Sequence, residues 1–268
     1  MDQKLLVLDI DGTLTNTQKK ITPRTRNAIC RMMEAGHLLA LASGRPTPGM
    51  KHIADALSLE TRGGFLLSYN GAKITNYATK EILFQQTLPA HVISEVYDFC
   101  LEHHIGMITY NNDVVITGTP RDEYMELEAR INHLSIRELD QFVSYITFPV
   151  NKCLVTAPVD IAPEMERLLQ ERYKDELSIY RSEPFFIEIM PKNIDKAASI
   201  ERLIQTLSIS RTNVIACGDG FNDLSMIEYA GLGVAMENAQ DIVKQHADYI
   251  TTSNDEDGVA NVIEKFIL

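Results

Sequence analysis

The chain opens on an apolar run, KLLVLDI, that stops at an Asp-Gly pair. A short uninterrupted run bounded by a turn predicts a strand buried on both faces. TPRTRNAICRMMEAG follows, with Thr22 placed to cap a helix, Pro23 at its first position and Gly36 just past its end. Ile29, Met32 and Met33 share one face of that helix. HLLALA is a second buried strand, ending at Ser43-Gly44-Arg45; a helix around residues 50–57 and a strand FLLSY come next. Strands and helices alternating in this way predict an α/β fold built on a doubly wound parallel sheet.

The rhythm then breaks. Asn70-Gly71 signals a hairpin, with EILFQQT read as a strand on its far side. From about Pro89 to Ile187 the pattern becomes helix, hairpin, helix, strand, helix, strand. PAHVISEVYDFCLEHH is an amphipathic helix, MITYNNDVVIT a hairpin and KCLVTA a strand. After FFIEIMP the alternation resumes with the helix IDKAASIERLIQTL and the apolar strand NVIACGDG, which runs into an acidic turn. NDLSMIEYAG, LGVAM, NAQDIVKQHA, DYIT and GVANVIEKFI complete it. The reading is a core made from both ends of the chain, residues 1–83 and 188–268, interrupted by an inserted α+β cap domain, residues 84–187.

Composition narrows the field of partners. A chain of 268 residues with 45% hydrophobic positions can bury one large or two modest cores. The formal net charge of -12 argues against a nucleic-acid groove or an anionic membrane surface as the main partner. It leaves room for a small anion held by local amides or a lysine. Cys30, Cys100, Cys153 and Cys217 are dispersed, with no CxxC pair, which suits reduced thiols rather than zinc. The first apolar run is too short for a secretory leader, and no stretch is long enough to span a bilayer. A cytoplasmic chain with no nucleic-acid and no membrane partner is expected.

The candidate chemistry begins with VLDIDGTLT, where Asp9 and Asp11 stand one residue apart at the end of a buried strand. Two such carboxylates repel, and one takes up a proton unless a cation or a reacting group holds both. Three further clusters fall where strands end or helices begin: Ser43-Gly44-Arg45, Lys196, and the turn Gly218-Asp219-Gly220-Phe221-Asn222-Asp223. In an open parallel sheet the carboxyl ends of the strands converge on one crevice. Asp9, Asp11, Asp219 and Asp223 offer hard oxygen ligands unaccompanied by His or Cys, a set that suits Mg2+. Ser43, the Gly44 amide and Lys196 suit phosphate oxygens. A carboxylate can itself attack phosphorus, and a second one two residues away can give the leaving oxygen a proton. A calcium loop starting at Asp9 would need Gly and Glu where Leu14 and Lys20 stand, so that reading fails.

The four clusters VLDIDGTLT, LALASGRP, IDKA and ACGDGFND resemble the haloacid dehalogenase superfamily of phosphohydrolases. SYNGA, FFIEIMPKNIDK, GLGVAMENA and TTSNDEDGVA extend the resemblance, over nearly the whole chain, to Cof-type hydrolases with a type IIB cap on a Rossmann-like core. One departure is Ala197, where such proteins usually carry Gly. The resemblance implies that Asp9 is the nucleophile and binds Mg2+, and that Asp11 gives its backbone carbonyl to the metal and its side chain as general acid, then base. It implies Asp219 as the third metal ligand with Asp223 supporting the ligands from behind. The Ile10 amide, Ser43, Gly44, Lys196 and Asn222 would bind phosphate, and Arg45 would tether substrate or cap.

The function so implied is Mg2+-dependent hydrolysis of a small phosphorylated metabolite, foremost a sugar phosphate, through an aspartyl-phosphate. A phosphosugar mutase on the same core is the enzymatic rival, separable by release of inorganic phosphate without an activating bisphosphate. A non-catalytic phosphometabolite sensor is the rival of another class, and joint retention of Asp9, Asp11, Lys196 and Asp219 speaks against it. In the cap, Lys152, Arg181 and Ser182 flank predicted strands and are candidates for substrate contacts, with surface positions as the plain alternative. Glu188 reads as a structural carboxylate, His103-His104 as a helix-end pair, and Asp255-Glu256-Asp257 as a solvated turn.

Overall fold

The first apolar run becomes β1 (Leu5–Leu8), followed by α1 (Pro23–Glu34), β2 (Leu38–Ala42), α2 (Lys51–Ala56), α3 (Leu59–Arg62), β3 (Phe65–Ser68), β4 (Lys73–Asn76) and β5 (Ile82–Gln85). The inserted segment runs α4 (Ala90–Glu102), β6 (Gly106–Asn111), β7 (Val114–Thr117), α5 (Glu123–Asn132), β8 (Ser135–Glu138), α6 (Phe142–Tyr145), β9 (Cys153–Thr156), α7 (Ala162–Tyr173), β10 (Leu177–Glu183) and β11 (Phe186–Pro191). The chain ends with α8 (Lys196–Leu207), β12 (Val214–Gly218), α9 (Leu224–Tyr229), β13 (Leu232–Ala235), α10 (Asp241–His246), β14 (Tyr249–Ile250) and α11 (Gly258–Phe266). This computed structural model describes residues 2–268.

Two compact units result. One joins the chain up to Phe84 with Asp195–Leu268, and the other is Gln85–Ile194. The first holds an eight-stranded sheet in the order β14-β13-β12-β1-β2-β3-β4-β5, parallel from β14 to β3. This is the expected doubly wound α/β sheet. β1 is buried at every position because sheet neighbours flank it and helices cover both faces. α1 starts where the sequence places it: Thr22 accepts the Thr25 N–H and Pro23 opens the first turn. Its apolar stripe, Ala28, Ile29 and Met32, is buried, and Met33 packs at the margin. β4, the segment KITN, went unrecognised in the sequence; it pairs antiparallel with β3. Three polar side chains in four residues leave Ile74 as its one apolar position.

The second unit carries a six-stranded sheet in the order β10-β11-β9-β6-β7-β8, antiparallel except for β7 and β8. Val92, Val96 and Cys100 from α4 and Leu169 and Tyr173 from α7 bury against Met107, Val155, Ile187 and Ile189. Each such aliphatic side chain contributes about 1.5–3 kcal/mol by leaving water. The observed boundaries differ from the expected 83/84 and 187/188. Glu188 and Ile189 are paired on both edges by β9 and β10, so residues 188–194 lie with the inserted unit. Among the described residues no helix is long and apolar enough to cross a membrane.

Candidate active site

β1 lies between β12 and β2 with all three parallel, Leu8 level with Cys217 on one side and Leu41 on the other. The chain therefore leaves three adjacent strands at one end of the sheet: Asp9 after β1, Asp219 after β12, Ser43 after β2. The Asp9 N–H still donates to the Cys217 carbonyl at 3.0 Å, which keeps its side chain close to the sheet. Lys196 is the first residue of α8, and Asp195 before it caps the helix by accepting the Ala198 N–H at 2.8 Å.

Lys196 is fully buried between two carboxylates. Its Nζ stands 2.6 Å from Asp9 Oδ1 and also donates to Asp223 Oδ1. The other Asp223 oxygen accepts the N–H groups of Asp219 and Gly220, both at 2.9 Å. Thr13 Oγ1 donates to Asp219 Oδ1 at 2.9 Å. Gly12 has φ +84°, and a Cβ there would lie 2.3 Å from an Asp219 oxygen, so the turn after Asp11 closes on the acidic turn only with glycine in place. Oxygens of Asp9, Asp219 and Asp223 all lie within 4.8 Å of one another.

That crowding is costly without a counter-ion. Burial, then repulsion from Asp223, push the Asp9 carboxyl well above its ordinary range against the pull of Lys196. Burial also lifts Asp219 to about 6, opposed by its bond from Thr13. Burial works against the Lys196 charge, but Asp223 and Asp9 reverse this and hold it above the usual ammonium range. Oxygen-only donors that repel one another in this way fit a hard divalent cation, so the cluster could hold a metal ion. The Asp11 side chain is not part of it; Asp223 is, although both Asp223 oxygens already accept hydrogen bonds.

Asp11 turns instead to two cations. Arg45 grips it through Nε and Nη2 at 2.7 and 2.8 Å, and Lys19 Nζ lies 2.9 Å away. Burial raises its pKa, but Arg45 and then Lys19 outweigh that and bring the carboxyl down to about 2. An Asp so held is ionised at neutral pH, a state suited to a base and opposed to the acid role. Ser43 is buried, its Oγ accepting the Arg45 N–H at 3.2 Å. Asn222 Nδ2 donates to Asn70 Oδ1 at 3.3 Å, and a Cβ on Gly44 would lie 3.2 Å from that same Asn70 oxygen. Ile10 is buried, its carbonyl accepting the Thr15 N–H at 2.9 Å. Thr13 stands in the first sequence cluster without an assigned role, and Lys19 and Asn70 stand outside all four clusters. Asn70 carried a signal, the Asn-Gly pair, that was spent on the hairpin; Lys19 carried none.

The inserted unit divides its three candidates. Lys152 is buried with its Nζ 2.9 Å from Glu188 Oε2, and Ser182 Oγ donates to Glu188 Oε1 at 2.9 Å. Lys152 and Ser182 thus converge on one carboxylate, Glu188. Arg181 points elsewhere, its Nε bonded to Glu166 of α7 at 2.7 Å.

The carboxylates follow the strand ends of a doubly wound sheet and the buried lysine opens a helix beside them, a set of groups that could hold a cation and a phosphate together. The haloacid dehalogenase-like hydrolase family is matched over residues 6–263, and the chain belongs to that family. It is an enzyme of the phosphatase kind. A haloacid dehalogenase-like hydrolase of Bacteroides thetaiotaomicron is 45% identical with a TM-score of 0.95, over 98% of this chain and 99% of that one. The 5-amino-6-(5-phospho-D-ribitylamino)uracil phosphatase YcsE of Bacillus subtilis is 33% identical over 100% of this chain and 97% of its own. The pyridoxal phosphate phosphatase YbhA of Escherichia coli is 26% identical over 100% of both chains.

Proposed function

We propose that the protein hydrolyses small phosphorylated metabolites, with phosphate esters of sugars and sugar-like alcohols as its substrates, using Mg2+ and an aspartyl-phosphate on Asp9. The observation that carries this reading is the buried Asp9–Lys196–Asp223 network with Asp219 beside it. A site that only bound phosphate would gain nothing from three carboxylates, which repel the anion. A nucleophile and its cation need them. The relatives' names support a small phosphorylated metabolite: both name an ester of a primary alcohol, one of them on a ribityl chain, whose alkoxide leaves poorly without a proton.

Asp9, the Asp11 backbone carbonyl and Asp219 would hold Mg2+, which when bound supplies positive charge against the phosphate oxygens. Lys196, Ser43, Asn222 and the amides of Ile10 and Gly44 bind the phosphate. The free lone pair of Asp9 attacks phosphorus, and the P–O bond to the alcohol breaks as Asp11 gives that oxygen a proton. Asp11 then takes a proton from water, whose oxygen attacks phosphorus, releasing phosphate and restoring Asp9. For the first step Arg45 moves from Asp11 to the anionic substrate, which frees Asp11 to take up a proton. Asp223 holds Lys196 and the Asp219 turn in place. Lys152 and Ser182, both engaged by Glu188, and Arg181, held by Glu166, remain the proposed substrate contacts of the inserted unit.

A panel of phosphorylated metabolites, scored by kcat/KM with Mg2+ and with excess chelator, tests this reading. Acid-quenched enzyme incubated with radiolabelled substrate should carry label that Asp9→Asn lacks. Silence across the panel, or full turnover in chelator, sinks it.

A further inference from the structure

The turn between β3 and β4 lies outside the four clusters yet touches three of them. Tyr69, Asn70 and Gly71 all have positive φ, at +53°, +52° and +98°. Glycine adopts this region freely and asparagine tolerates it, but a tyrosine there is an outlier. Such conformations persist where the surroundings over-determine them, and they gather at functional sites. Here the surroundings are specific. The Asn70 N–H donates to the Ser43 carbonyl and the Tyr69 N–H to the Arg45 carbonyl, both at 2.9 Å, so the turn is pinned to both ends of Ser43-Gly44-Arg45.

The Asn70 side chain reaches further. It is buried, lies against Gly44, and accepts from Asn222 Nδ2 across 152 positions of sequence. Gly71 meets the first turn of α8: a Cβ on it would lie 2.5 Å from Ser199 Cβ and 2.9 Å from the Asp195 carbonyl. That turn begins with Lys196. A turn that merely reversed the chain would lie at the surface with its polar side chain in water. This one is inside, and its neighbours are the elements that bear Ser43, Asn222 and Lys196.

We propose that Asn70 is a positioning residue of the phosphate pocket: its carboxamide orients Asn222 past Gly44, while the left-handed backbone of residues 69–71 sets the spacing between the Ser43 loop and the Lys196 helix. The proposal rests on the phosphatase reading above. Asn70→Gly tests it, because glycine keeps the backbone conformation accessible and removes the carboxamide. The readouts are the inhibition constant for inorganic phosphate, and kcat and KM on a phosphomonoester the wild type turns over. Asn70→Gly should weaken phosphate roughly tenfold, the loss of one hydrogen bond to an oriented group. Asn222→Ala should do the same, and the double variant should be no weaker than Asn222→Ala alone, since the one residue acts through the other. An unchanged constant in Asn70→Gly, or independent losses that multiply in the double variant, overturns the proposal.

If Asn70→Gly does not fold, Asn70→Asp serves. It tolerates the same backbone and still accepts from Asn222, but sets a negative charge beside the pocket. Relative to wild type, its phosphate binding should be weak at pH 8 and recover toward pH 5; a constant that tracks wild type at both values refutes the placement. A wild type that neither hydrolyses a phosphomonoester nor binds phosphate removes the functional reading itself. An active wild type with an unaffected Asn70→Gly removes the role of Asn70 and leaves that reading standing.

Discussion

Lys196 is held inside the protein by Asp9 and Asp223, and its removal would strand both carboxylates. Breaking a buried ion pair from one side costs about 3–5 kcal/mol. Lys196→Met should show that loss in denaturant titration at pH 8. Asp9 already binds its proton more readily in the folded than in the unfolded state, and without Lys196 this bias grows, so the deficit should shrink toward pH 5. A deficit independent of pH would mean that the carboxylates do not feel the lysine. Asp9→Asn should abolish turnover, since an amide cannot attack phosphorus. Asp11→Asn should lose about 10²–10⁴-fold in the first step on a sugar phosphate, and far less on an aryl phosphate, whose phenolate leaves without a proton. Burst kinetics separates that step from hydrolysis of the proposed aspartyl-phosphate. Equal first-step losses on both substrates would remove Asp11 as the acid.

Helix starts and loops place those side chains. Asp195 caps α8 and Thr22 caps α1, and losing either cap should cost about 1 kcal/mol by thermal denaturation. Their effects on catalysis should diverge, because α8 begins with Lys196 and α1 carries none of the candidate site residues. Asp195→Ala should lower kcat/KM several-fold while Thr22→Ala leaves it near wild type; matching values would show that the helix start does not set the lysine. The loop after Asp11 is tied from the far end of the chain. Asn238 Nδ2 donates to the Gly12 carbonyl at 2.8 Å, Asn254 Nδ2 to the Thr15 carbonyl at 2.9 Å, and Asp255 Oδ1 accepts the Thr17 N–H at 2.9 Å. Asp255 is thus a tether for that loop, and the stretch read as a solvated turn has structural work. Asp257 belongs to the same tie, accepting the Thr22 hydroxyl.

Across the protein, gathering acids at one end of the central strands carries a stability cost that a bound cation would relieve. Mg2+ that binds the native state alone adds about 2.7 kcal/mol at a hundredfold excess over its dissociation constant. The melting temperature should therefore rise with Mg2+. Asp219→Asn should raise the melting temperature in chelator at pH 8, because Asp219, lifted to about 6, is less stable ionised here than in the unfolded chain. The same variant should lose most of the Mg2+-induced rise. A full Mg2+ shift in Asp219→Asn would remove that residue from the metal's ligands. Ca2+ should support activity poorly, since it takes more ligands and would engage both Asp9 oxygens.

What could be read from residue order was whatever depends on near neighbours. Strand runs, the Thr22-Pro23 helix start and the acidic turns follow from periodicity, capping and backbone preference, all set within a few residues, and so β1, α1, β2 and β12 appear where expected. Convergence of the strand ends followed from one general rule about parallel sheets. Distant pairings were beyond such reasoning. The segment FFIEIMP is apolar enough for either sheet, and its pairing with β9 and β10, invisible locally, carried residues 188–194 into the inserted unit. Asp11 looked like a partner for Asp9, yet its side chain answers to Arg45 and Lys19, while Asp223 joins Asp9 through Lys196. Asn70 reads as a hairpin residue until the folded sheet brings Asn222 to it. Which charges meet, and therefore which carboxyls are raised or lowered, depends on distances of a few ångströms between residues far apart in the chain, and only packing sets those.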